Sequence, residues 1–143
     1  MILHINLKIF FDEIKTKTGK SDKIFPRKFF TIDIAKQREQ KMKIYTSFSD
    51  DILYLCLQGE MDEHNAVHAR READALAERY AGCSRAVFDL RSVSFMDSTG
   101  IGFLIGRYKT FKRYGVPSFV TGASYETDKI LSMSGVYTLM PKV

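Results

Sequence analysis

The stretch Ala86-Val87-Phe88-Asp89-Leu90-Arg91-Ser92-Val93-Ser94-Phe95-Met96-Asp97-Ser98-Thr99-Gly100-Ile101-Gly102 decides the fold. It opens with a short apolar run, Ala86–Leu90, which suits a buried strand. A polar segment follows, and then a second periodicity begins. Ile101, Leu104, Ile105, Tyr108 and Phe111 recur at spacings of three and four. That spacing predicts a helix from about Ser98 to Tyr114. Lys109, Lys112 and Arg113 fall in its last turns, where cations suit the helix dipole, and Gly115 ends it. The segment is therefore a strand, a loop and a helix, which is half of a parallel β-α-β unit.

Working outward, the same alternation of strand and helix continues on both sides. Lys43–Phe48 and Ile52–Gln58 are β-rich runs joined by the polar turn Ser49-Asp50-Asp51, which reads as a hairpin. Gly59-Glu60-Met61-Asp62 is then expected to turn the chain. Ala66, Ala69, Ala73, Leu76, Ala77 and Tyr80 form the apolar stripe of a helix from Asn65 to Tyr80. Arg70, Arg71, Glu72, Asp74 and Glu78 fall mostly on its other face, and Gly82 stops it. Beyond the central segment, Ser118–Thr121 is expected as a strand, Glu126–Ser134 as a helix and Val136–Leu139 as a last strand. The order ββαβαβαβ implies an α/β fold: a mostly parallel β-sheet with an antiparallel edge strand and flanking helices.

The net charge of +5 sits in one place. Residues 1–41 hold ten Lys/Arg against five Asp/Glu, whereas residues 42–143 hold twelve of each. The basic character thus belongs to an N-terminal extension, 1–41, and the domain at 42–143 is neutral. Three readings of the extension stand open: a basic arm, a structural extension, or sequence upstream of a start at Met42. The third has a specific motive, because Arg38-Glu39 can be encoded as a purine-rich ribosome-binding sequence about six nucleotides before the Met42 codon. A secretory signal is not expected, given the missing apolar core and the early Asp12 and Glu13. No apolar run reaches the length of a membrane span. Two cysteines, Cys56 and Cys83, do not make a disulfide framework and read as reduced thiols.

The chemistry concentrates at Asp97-Ser98-Thr99-Gly100-Ile101-Gly102. In parallel α/β sheets, function gathers at the carboxyl ends of strands. A hydroxyl there meets a helix N-terminus, whose free N–H groups favour negative charge. A phosphate on Ser98 is tolerated locally for that reason and adds about two negative charges beside Asp97. A simple N-cap role for Ser98 or Thr99 fits the same pattern. Other constellations are incomplete. Gly100, Gly102 and Gly106 miss the dinucleotide-binding spacing by one residue, and no P-loop or G-x-S-x-G is present. His64 and His68 lie at i, i+4 but read H-N-A-V-H with no evident third ligand, so surface histidines are expected and no metal or other cofactor.

Three motifs in order resemble one family. Gly59-Glu60-Met61-Asp62-Glu63-His64-Asn65-Ala66 is similar to a characteristic turn of STAS domains, and Phe88–Gly102 is similar to that family's phosphoacceptor block. Leu104-Ile105-Gly106-Arg107-Tyr108-Lys109 and Met133-Ser134-Gly135 extend the match. The sequence resembles the bacterial anti-sigma factor antagonists, and within them the anti-sigma F antagonist family of sporulation (stage II sporulation protein AA). The resemblance implies a cytoplasmic, non-enzymatic binding module. Its partners are an anti-sigma factor with serine kinase activity and a metal-dependent, PP2C-type serine phosphatase, with no direct contact to nucleic acid or membrane. It implies Ser98 as the phosphorylated serine and Asp62, Asp97, Thr99, Gly100 and Gly102 as partner-binding residues. Alternatives within the resemblance are another partner-switching pathway, such as general stress control, or a ligand-binding STAS subunit of a transport system. Two features depart from the family. A further C-terminal helix has no counterpart before Val143, and residues 1–41 have none in the family pattern.

Overall fold

A computed structural model describes residues 41–143. The readings of the basic extension fall, up to Gln40, outside the described residues. Eight elements follow in order: β1 Lys43–Ser49, β2 Ile52–Met61, α1 Glu63–Arg79, β3 Arg85–Met96, α2 Ser98–Arg113, β4 Ser118–Thr121, α3 Tyr125–Ser134 and α4 Val136–Leu139. The strands form one sheet in the order β1-β2-β3-β4. β1 pairs antiparallel with β2, while β2–β3 and β3–β4 are parallel. The expected α/β sheet with one antiparallel edge is thus present.

The hairpin forms because Asp50 and Asp51 both take positive φ, 52° and 62°. That is the geometry of a two-residue turn whose twist matches the strands, and aspartate tolerates it better than most residues. Ser84 then ties the hairpin to the start of β3, its amide and hydroxyl both donating to the Asp51 carbonyl, at 2.9 and 2.7 Å.

Right-handed connections β2-α1-β3 and β3-α2-β4 in a sheet of this order carry both helices to the same face. Leu53, Leu55 and Leu57 of β2 and Phe88 and Leu90 of β3 meet them there. Ala69, Ala73 and Ala77 let α1 approach closely, and α2 contributes Phe103, Leu104 and Phe111; all are buried in one cluster. Phe111 and Phe88 meet edge to face in a T-shaped contact, ring centres 5.5 Å apart.

Three expectations are corrected. The segment Val136–Leu139 is a single helical turn, not a strand. Gly135 ends α3 in the left-handed conformation (φ 79°), and the chain restarts with Met140 N donating to Val136 O at 2.8 Å. Val136 and Met140 are both fully buried; their spacing of four is a helical period that the apolar run concealed. The strand position beside β4 is taken instead by the next residues, with Lys142 bridged in parallel to Val120. Second, β3 does not end at Leu90 but continues to Met96. The buried positions Leu90, Val93 and Met96 are three apart, because irregular register along β2–β3 breaks the two-residue alternation. Third, Gly59–Met61 does not turn the chain but extends β2, with Gly59 at φ 115° beside such an irregularity.

Candidate functional site

The parallel register of β2 and β3 builds the site. Met61 pairs with Met96 at the strand ends. Asp62 and Asp97, the next residues, therefore leave the sheet side by side, since paired strands lie about 4.8 Å apart. Each is the N-cap of the helix that follows. Asp62 Oδ1 accepts from Asn65 N at 3.0 Å, and Asp97 Oδ1 accepts from Thr99 N at 2.8 Å. The two caps have nearly the same backbone, φ −115° and −114°. The N-termini of α1 and α2 thus open in parallel at the carboxyl edge of the sheet, where their unpaired N–H groups and dipoles favour an anion.

The capping role falls to Asp97, not to Ser98 or Thr99. Ser98 is the first helical residue, exposed, and its hydroxyl has no hydrogen-bond partner among the described residues. Thr99 is half-buried behind it. Gly100 is buried, and a Cβ there would stand 2.4 Å from Met96 Cγ and 2.7 Å from Met61 Cγ. Its missing side chain lets the first turn of α2 settle on the strand ends, so it shapes the surface from beneath. Gly102 is exposed with open space around it.

A groove of about 450 Å³ runs between the helices, lined by Glu63, Ala66, Val67 and Arg70 of α1 and by Ser98, Thr99 and Gly102 of α2. The α1 residues lie at i, i+3, i+4 and i+7, one face of a helix. Ala66 and Gly102 leave the space; Arg70 and Glu63 charge it. Sequence reading placed Arg70 on the solvent face and missed its position opposite Ser98. The signal was present in the i, i+7 spacing from Glu63, but nothing local says which neighbour that face meets. Asp62 is not among the lining residues, although it stands beside Asp97. Val67, the apolar member of the lining besides Ala66, is 49% exposed.

Behind the groove the helices are joined by charge. Arg107 of α2 is buried with its Nε 3.0 Å from Asp74 Oδ1 of α1, and its guanidinium lies 5.3 Å from the Phe103 ring centre. The contact is close but not aligned as a hydrogen bond, and Arg107 Nη1 has no partner among the described residues. Burial pushes the Arg107 pKa down, Asp74 opposes this, and the like charge of Arg70 adds to the depression. Metal chemistry has little to draw on. Among the described residues no group of three or more His, Cys, Asp or Glu is placed to hold an ion, and His64 and His68 are exposed. Cys56 and Cys83 are free thiols.

Known proteins share this fold. The sequence profile of the STAS domain matches residues 43–143, so the chain belongs to the STAS family. An anti-sigma F factor antagonist of Paenibacillus polymyxa is 33% identical over 90 residues, covering 63% of this chain and 76% of that protein. An anti-sigma-B factor antagonist of Staphylococcus epidermidis is 26% identical over 99 residues, 69% of this chain and 90% of the relative. Among solved structures, the anti-sigma factor antagonist SpoIIAA in its unphosphorylated form superposes with a TM-score of 0.59 at 20% identity, covering 71% of this chain and 88% of its own. The phosphorylated form of the Bacillus cell fate determinant SpoIIAA gives 0.55 at 20% identity, covering 71% and 91%. Among the described residues no helix is long and apolar enough to cross a membrane.

Proposed function

We propose that this chain is an anti-anti-sigma factor, a non-enzymatic cytoplasmic binding module switched off by phosphorylation of Ser98. The observation that carries the reading is the exposed Ser98 hydroxyl at the first position of α2, free of the capping role that Asp97 fills. A kinase reaches such a hydroxyl without unfolding the helix. The added phosphate meets the N-terminal amides of α2, so the fold tolerates it. The docking surface changes by about two negative charges at its centre, which a partner fitted to the bare hydroxyl rejects by repulsion and desolvation.

The partner in this reading is an anti-sigma factor with serine kinase activity, and a PP2C-type phosphatase restores the hydroxyl. The similarity to an anti-sigma F factor antagonist supports a sporulation pathway. The similarity to an anti-sigma-B factor antagonist over 90% of its length favours, as a second reading, a different partner-switching pathway. Residues 42–143 are the working unit, supported by the family match and by the burial of Met42 in the core. Asp62, Asp97, Thr99 and Gly102 shape or face the docking surface, Gly100 supports it from below, and the exposed Val67 supplies its apolar contact.

The test is binding of Ser98→Ala and Ser98→Asp to the cognate kinase-type anti-sigma factor by calorimetry. Ser98→Ala binds as tightly as the bare serine, and Ser98→Asp binds roughly tenfold or more weakly, the effect of one uncompensated charge at an interface. Equal affinity of the two variants refutes the switch.

A further inference from the structure

We propose that Arg70 is the intramolecular counter-ion of phosphoserine 98, so that the modified side chain folds back across the groove onto α1. This rests on the reading of Ser98 as the phosphorylated residue and adds what receives the phosphate. Ser98 and Arg70 line the same groove from opposite helices, with the small residues Ala66 and Gly102 between them. The volume of about 450 Å³ leaves room for a phosphate.

The charges of the groove decide the direction. Arg70 is exposed and makes no ion pair among the described residues. The carboxylate one turn along, Asp74, is drawn toward Arg107 at 3.0 Å. Arg107 itself is buried and like-charged, and it repels Arg70 rather than neutralising it. Glu63 is the opposing group on the same groove wall. It lies on the first position of α1 and is exposed, so it turns to solvent at little cost. Guanidinium pairs phosphate through two parallel N–H donors, and the N-terminus of α2 presents the phosphate from below. The bare protein offers Arg70 to an acidic group of its partner; the phosphorylated protein has that cation occupied. One phosphate thereby adds negative charge and withdraws a positive one.

The experiment installs phosphoserine at position 98 of the full chain by genetic encoding, without a kinase, and follows the phosphate by phosphorus NMR across pH. In the parent protein Asp97, Asp62 and Glu63 raise its second ionisation from the ordinary value of about 6, while Arg70 and the α2 N-terminus lower it, so the variants are read against the parent. Arg70→Gln raises it by about half a unit or more, Arg70→Lys by less, and Arg71→Gln, one residue along on the exposed surface, leaves it in place. Titration at one pH in the parent and Arg70→Gln proteins overturns the inference while leaving phosphorylation of Ser98 intact. Conversely, equal binding of Ser98→Ala and Ser98→Asp removes the switch without touching the titration. An equal shift in Arg71→Gln overturns it too, because it marks a general surface field.

Discussion

Gly100→Ala places one methyl group in the tightest contact beneath Ser98. Its Cβ would lie 2.4 Å from Met96 Cγ and 2.7 Å from Met61 Cγ. Those methionines are 4% and 0% exposed. The Cγ atoms sit mid-chain, so neither side chain yields by swinging a free end. Overpacking of this kind costs about 1–3 kcal/mol. The helical preference of alanine returns at most about 1 kcal/mol, and less in a first turn, so the net loss is roughly 1–2 kcal/mol. Gly102 and Gly106 on the same helix meet nothing within 4 Å of an added Cβ. Gly106→Ala therefore gains about 0.5–1 kcal/mol. In urea unfolding of the full chain the two alanine variants separate by about 2 kcal/mol, or roughly 8–16 °C in Tm for a domain of this size. Adding Met96→Ala to Gly100→Ala removes the nearest obstruction, and the pair shows a coupling of about 1 kcal/mol. If Gly100→Ala matches Gly106→Ala in stability, the close approach of α2 to the strand ends is not what excludes a side chain at position 100.

Two further outcomes follow from the caps and the open face of the sheet. Asp97→Ala removes the acceptor of the Thr99 amide and destabilises by about 0.5–2 kcal/mol, whereas Asp97→Asn, which caps as well, does not; hydrogen exchange at Thr99 quickens in the first variant only. Asp89 is buried and accepts from Arg91 Nε and the Arg91 amide at 2.9–3.0 Å. The Arg91 side chain holds its carboxyl below the usual aspartate range, against the opposing effect of burial. A folded-state pKa below the unfolded value favours folding when the group is ionised. That contribution is full above about pH 4 and is lost as pH falls through the lower folded value. Asp89→Asn flattens this acid limb, read as Tm between pH 5 and pH 2; an unchanged limb means that Asp89 does not carry it.

Local chemistry made most elements legible. Asp50-Asp51 marked the hairpin, the alanine stripe marked α1, and the Ile101–Phe111 spacing marked α2, because turns and helix faces depend on residues within a few positions of one another. The strand at 136–139 was misread because Val136, Leu139 and Met140 are apolar in either period, and only the burial of positions 136 and 140 separates them. The length of β3 was hidden by Arg91, Ser92 and Ser94, polar residues inside the strand: Ser92 pairs with Gln58 of β2, while Arg91 and Ser94 fall at the irregularities of the register.

The sequence by itself determined that a hydroxyl stands at a strand-to-helix corner and that the domain carrying it is neutral. Tertiary structure alone decided what surrounds that hydroxyl. The register Met61 to Met96 sets Asp62 beside Asp97, the connections of like hand put α1 and α2 on one face, and that placement brings Arg70 and Ser98 to the walls of one groove. These contacts join residues about thirty positions apart. They are fixed by ladder hydrogen bonds and helix packing between distant segments, which leave no local pattern from which to read them.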